Sequence, residues 1–289
     1  MRIRLAMRNR AFFFFILFMP MIFLLFALVF IGDRRQWIGY VLGDMLTTTV
    51  MGSFWGLSVQ LVTFREQGIL RRFRLAPLGA GPLLASSILS NYFMALPVVA
   101  FEILVCRLAL HMQNWGNLWA ILVLITIGSA TFSSLGLIVA SVTNTMQETQ
   151  MINNLIWMGL IFLSGATIPI TIFPDWLQHI SLFIPAQYLA TGLQSAATKM
   201  ATSHEVLEDF VALALGLFVA FEISRRLFRW EPEAKAPRSA KLWVLVALVP
   251  FLLFGAWENV SGTRLQRIHQ NFQVLSREAV THAQTRGKR

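Results

Sequence analysis

Apolar residues in this chain fall into long blocks, and charged residues gather in the short stretches between them. Six blocks match a bilayer core, which takes about 20 helical residues to cross: 11–31, 37–63, 83–108, 118–142, 151–169 and 206–223. A seventh, 242–257, is shorter and contains Pro250. In lipid the backbone must satisfy its own polar groups, so such blocks form helices. The pattern predicts an all-α polytopic membrane protein with six spans and a further C-terminal crossing.

Composition agrees. Of 289 residues, 56% are hydrophobic and 13% charged, about half the charged share of a soluble domain. The net charge of +10 would suit a nucleic-acid partner, but the basic residues sit between apolar blocks, where they set membrane orientation. With the N-terminus in the cytoplasm, fourteen Lys and Arg of the first six spans lie inside and four outside (Arg34, Arg35, Arg107 and Lys199). No role with nucleic acid is expected. The first block exceeds a signal-peptide core and reads as an uncleaved span. The single Cys106 allows no internal disulfide.

The end of the chain carries six more basic residues, so a crossing at 242–257 would put a basic tail outside, against the charge rule. Leu265, Ile268, Phe272, Leu275 and Ala279 recur at steps of three and four, which is one helical face. Such a face lies on a membrane surface, pairs with a partner helix, or belongs to a short solvated end.

Several segments bear on function. Residues 64–78 read F-R-E-Q-G-I-L-R-R-F-R-L-A-P-L, a basic amphipathic loop with apolar anchors Ile69, Leu70, Phe73 and Leu75. It either only sets topology or forms a helix docking into a partner. Between the fifth and sixth spans, Pro169, Pro174 and Pro185 exclude one straight helix, yet the stretch stays apolar. It reads as short helices dipping back into the outer leaflet, with Asp175 as a helix cap and Trp176 as an interfacial anchor. Gly39/Gly43 and Gly52/Gly56 give two G-x-x-x-G spacings, which favour close helix packing. Asp44 and Glu102 are ionisable residues inside spans, with Arg107 five residues beyond Glu102 to offset its charge. Glu222 is placed to pair with Arg225 and Arg226.

Other signatures are missing. The chain has no G-x-x-x-x-G-K-[ST] loop for ATP. His204-Glu205 lacks the second His of a zinc-protease helix, since Glu208 stands at the required position. No catalytic residue, metal site or cofactor of its own is expected, and no enzymatic activity.

Three segments together resemble the type-2 ABC exporter permease family. They are the entry M-R-N-R-A-F-F-F-F-I-L-F-M-P, the 64–78 loop, and the series L-S-G-A-T-I-P, F-P-D-W-L and I-P-A-Q-Y-L. The resemblance covers about residues 1–228 and departs at Leu75-Ala76-Pro77, where the family usually has Thr before Pro. It implies a permease domain at 1–228; a basic cytoplasmic linker at 229–241 and an extra apolar segment with a basic tail at 242–289 fall outside its six-span pattern. It implies a coupling helix at 64–77 that contacts a separate ATPase subunit through Glu66, Gly68, Arg71, Arg72 and Pro77. It implies paired re-entrant helices at 164–188 that close the pathway externally, with Ser164, Gly165, Pro169, Pro174, Trp176, Leu177, Pro185 and Tyr188 on matched positions. ATP and Mg would be bound by the partner ATPase. Two permease copies, identical or paralogous, would form the pathway in a bacterial inner membrane, with the N-terminus cytoplasmic. An ion-coupled secondary transporter and a membrane scaffold or enzyme subunit are the rival readings. The first lacks a visible internal repeat, and the second lacks a titratable cluster at one depth.

Overall fold

The computed structural model describes residues 37–74, 79–108, 110–112, 115–198, 203–231 and 240–286, and no strand occurs among them. The helices are α1 (Ile38–Glu66), α2 (Ile69–Arg74), α3 (Ala80–Leu108), α4 (Leu118–Val142), α5 (Met146–Leu163), α6 (Asp175–Ser181), α7 (Pro185–Thr198), α8 (Ser203–Leu227), α9 (Ala240–Ser261) and α10 (Thr263–Arg286), with a 3-10 turn at Ile170–Ile172. The apolar block 11–31 and Pro77 lie outside the described residues.

Among the described helices, α1, α3, α4 and the Leu242–Ser261 part of α9 are long and apolar enough to cross a membrane. At about 1.5 Å per residue, even the 20 residues of the last span the bilayer core. The seventh apolar block therefore makes a longer helix than its 242–257 core suggests, and Pro250 sits inside it without ending it. α5 and α8 fall outside that set. α5 opens on the polar run Gln147, Glu148, Thr149 and Gln150, and α8 carries Glu205, Glu208 and Asp209.

Two helices make the centre. In the most apolar stretch of α1 and of α4, 67% of residues are buried by protein, against 17% in α3 and 28% in α9. α1 and α4 run parallel and touch backbone to backbone: a Cβ on Gly136 would lie 2.2 Å from the Phe54 carbonyl oxygen. α7 meets α1 as closely, since a Cβ on Gly43 would lie 2.5 Å from the Gln194 Cα. Gly39 and Gly43 thus serve helix packing. Gly52 and Gly56 do not: a Cβ at Gly52 meets nothing within 4 Å, and one at Gly56 only Asn91 Oδ1 at 3.6 Å.

Side-chain bonds stitch the helices together. Asn153 donates to Ser58 Oγ at 2.7 Å, joining α5 to α1. Thr131 donates to the Leu213 carbonyl at 2.9 Å, joining α4 to α8. Helix ends follow local chemistry. Asn117 accepts from the Ala120 amide to open α4. Thr145 accepts from the Glu148 amide, and Glu148 reaches back to the Asn144 amide, to open α5.

Candidate functional site

One end of the bundle carries the 64–74 corner. α1 stops at Glu66, and Gly68 reverses the chain into α2 with a φ of +68°. A Cβ there would meet nothing within 4 Å, so backbone conformation alone selects glycine. Leu70 is buried among Leu57, Leu61, Leu84 and Leu137, which holds α2 against α1, α3 and α4. Glu66 and Arg71 are exposed. For Arg72 only the helical backbone is described.

This corner is tied to the turn between α4 and α5. Buried Arg65 donates to the carbonyls of Ala140 at 2.8 Å and Thr143 at 2.7 Å, closing the C-terminal end of α4. Glu66 accepts from the Met146 amide at 2.8 Å, at the start of α5. Arg229, just past α8, adds bonds to the Thr143 carbonyl at 2.6 Å and to Asn144 at 3.1 Å. Partial burial lowers the Arg229 pKa, and the nearby Glu148 carboxylate offsets part of that. Glu222 pairs with Arg225 and Arg226 close by. Sequence reading counted Arg65 and Arg229 only as orienting charge. Their role depends on carbonyls far away in the chain, at 140 and 143.

The 164–188 segment lies at the opposite end. α5 ends at Leu163, well before Pro169, because Gly165 adopts a φ of +83°. The chain then bends through Pro169, makes its 3-10 turn, and restarts at Asp175 and again at Pro185. Asp175 is in the first turn of α6 and does not cap it: Pro174 holds the cap position, and no side-chain bond closes it. Trp176 is 64% exposed, as an interfacial anchor would be. Tyr188 is buried and donates to the Leu182 carbonyl at 2.8 Å, pinning α7 to the end of α6.

Gly165 is needed for both conformation and space, since a Cβ would lie 2.7 Å from Ile170 Cγ1. Gly165→Ala is expected to lower stability by about 2–3 kcal/mol and Gly68→Ala by about 1 kcal/mol. Thermal unfolding of the two purified variants in detergent checks the order.

The two acids within spans fall at separate levels, and only Glu102 is buried, Asp44 being half-buried. Asp44 accepts from Gln194 Nε2 at 2.6 Å, and the same nitrogen donates to the Gly165 carbonyl at 3.0 Å. Asp44 thereby joins α1 to α7 and to the 164–188 segment. Glu102 is buried and accepts from Thr49 at 2.5 Å, about 7.5 Å along α1 from Asp44. Arg107 does not neutralise Glu102 as its spacing suggested: it donates to the Met112 carbonyl and lies 5.0 Å over Trp115.

A polar centre that sequence reading missed sits beside Tyr188. Arg264, at the start of α10, is buried and pairs with Asp209 of α8 and Glu258 of α9. It also donates to Gln187 and Thr191 of α7, and its guanidinium lies 4.4 Å from the centre of the Tyr188 ring. Burial works against the charge, but Asp209, Tyr188 and Glu258 raise the Arg264 pKa overall. Arg267 extends the network to Glu208 at 2.7 Å and Glu205 at 3.8 Å. Asp209 lay inside an apolar block and could have been flagged on that ground. No group of three or more His, Cys, Asp or Glu suited to a metal ion occurs among the described residues.

These features agree with what the chain resembles in other proteins. The profile of the ABC-2 type transporter family matches residues 2–197. The Linearmycin resistance permease protein LnrN of Bacillus subtilis (strain 168) is 27% identical over 175 residues, 60% of this chain and 43% of that protein. The aligned region thus spans less than half the length of that relative. α8, α9 and α10 lie beyond the family match. A match over most of a chain built of apolar crossing helices gives its membership: it is a multi-pass membrane protein of the ABC-2 type transporter family.

Proposed function

We propose that this chain is the membrane subunit of an ATP-driven exporter, working as a pair of copies with separate ATPase subunits. The observation that carries the reading is the 64–74 corner. The end of α1 and the start of α2 expose Glu66 and Arg71 at one end of the bundle, while Arg65 and Glu66 tie the same corner to α4 and α5. A push on α2 from a closing ATPase pair would reach α1, α4 and α5 at once. The ATPase would supply the ATP and Mg sites. The charge asymmetry supports a cytoplasmic corner and an outward 164–188 segment, and a relative in Bacillus subtilis supports a bacterial cytoplasmic (inner) membrane.

Pairing has support of the same kind. Gly52 of α1 looks into open space, and Met151, Leu155 and Met158 of α5 form an exposed apolar stripe. A second copy of the chain could cover both. Few charges within the spans favour an amphipathic or lipid-like cargo over a small ion, and a relative named as a resistance permease fits the removal of a harmful compound.

The test is copurification with each ABC ATPase of the source organism, co-expressed in turn, comparing wild type with Glu66→Arg and Arg71→Glu. Wild type is expected to retain the ATPase and each variant to lose at least tenfold of it while eluting as a folded species. Arg71→Glu is the cleaner variant, because Glu66 also opens α5. No retention by wild type, or full retention by Arg71→Glu, would overturn the reading.

A further inference from the structure

The two helices furthest beyond the family match do something the six-span pattern does not require. α9 runs antiparallel along α8. Ala247 packs with Ala220 and Ile223, and Phe251 fills the notch at Gly216, where a Cβ would lie 2.2 Å from the ring. At Gly255 the helix reaches Leu182 and Phe183 of the gate segment. Gly262, with a φ of +65° and open space around it, then turns the chain into α10.

α10 lies across the end of the bundle that holds the gate segment. Phe272 meets Trp37 edge to face at 5.0 Å, and Leu275 is buried. The amphipathic face read from the sequence is therefore turned onto the bundle. Between α10 and the gate remains a cavity of about 30 Å³, bordered by Tyr40, Thr171, Gln194, Ser195, Ile268 and Phe272. That is room for about one water molecule and no cargo.

We propose that α10 is a strap closed over the mouth of the pathway, latched by Arg264 and lifted about Gly262 each time the gate opens. The proposal rests on the reading of 164–188 as the outer gate. Among the described side chains the strap's ion pairs sit at one end. Arg264 and Arg267 engage carboxylates of α8 and α9 next to the hinge, whereas further along Ile268 and Phe272 are only partly buried. Thr171 Oγ1 and Gln187 Nε2, in the segments bordering the strap and latch, are enclosed without a hydrogen-bond partner. An element whose middle is only partly buried, beside polar groups left unsatisfied, opens at low cost.

The experiment uses the full chain with its ATPase, carrying Cys106→Ser and the reporter Ser195→Cys. A membrane-impermeant maleimide is applied to intact cells and to inside-out vesicles. Labelling of the reporter should be slow in the otherwise unchanged chain. It should rise at least tenfold in Arg264→Gln and in Phe272→Ser, which leaves the ion cluster intact. It should also rise when the ATPase can hydrolyse ATP, compared with a hydrolysis-dead ATPase. Buried Cys106, retained without the reporter, serves as the folding control, since only an unfolded chain exposes it. An unchanged labelling rate in both loosened variants, or no response to hydrolysis, overturns the strap. Labelling confined to inside-out vesicles overturns the outer-gate reading instead, while the rate ratios still decide the strap.

Discussion

Gly136→Val is expected to leave almost no folded protein. The added Cβ would fall 2.2 Å from the Phe54 carbonyl oxygen and 3.0 Å from its carbonyl carbon, and both belong to the backbone of α1. A flexible side chain could move aside, but a helix backbone cannot without carrying its neighbours. α1 and α4 would have to separate along the best-buried seam of the bundle, which opens voids around Phe54 and Phe132. Overpacking of a core typically costs 1–3 kcal/mol. With no soft group to absorb the clash, a value above about 3 kcal/mol is expected, enough to unfold a marginally stable protein. Size-exclusion profiles of the solubilised variant should show aggregate in place of a single peak. Gly52→Val is the matched control, because its Cβ meets nothing within 4 Å. It should elute like wild type, and any loss confined to the paired state would place α1 at the seam between copies.

Arg65→Met is the second large effect, expected to show in coupling more than in folding. The guanidinium holds two carbonyls at the end of α4, at 2.8 Å and 2.7 Å, and it is buried where water cannot replace it. Methionine fills much of the same volume but leaves the Ala140 carbonyl without that donor. The Thr143 carbonyl keeps its bond from Arg229. Hydrogen bonds from a charged group contribute about 1.5–3 kcal/mol each, so a loss of about 3 kcal/mol is expected. The ATPase should still bind, since α2 keeps its exposed residues. Hydrolysis by the bound ATPase should then no longer move the spans as a unit, and transport should fall at least tenfold at unchanged copurification. Arg65→Lys restores the charge but presents a single ammonium in place of a planar fork, so it should recover only part of the activity. Equal loss of binding and transport would show instead that Arg65 only supports the fold of the corner.

The crossing helices were legible because lipid imposes one rule on every residue of a span. α4 runs from Leu118 to Val142, as its apolar block does. Ends were less legible. α5 stops at Leu163 because Gly165 takes a left-handed conformation, while apolarity continues to Pro169. The breaks at Pro174 and Pro185 were visible, because proline cannot donate a helical bond. The cap at Asp175 was misread, since Pro174 already occupies that position. For the candidate site, Arg71 came from the family resemblance, and neither resemblance nor spacing pointed to the anchors Arg65 and Arg229. A charge next to an apolar block looks the same whether it faces water or closes a distant helix.

The amino-acid sequence by itself determined the solvent, the helical class, four of the apolar crossing helices and the family, because each depends on composition or spacing along one stretch of chain. Tertiary structure alone decided which glycines are pressed against a neighbour, which carbonyls Arg65 closes, and that Arg264 sits among Asp209, Glu258 and Tyr188. It also decided that the amphipathic face of α10 turns onto the bundle, with Phe272 against Trp37 and Ile268 beside Thr171. The physical reason is that burial and ion pairing are properties of pairs of segments, and a linear pattern holds each segment without its partner.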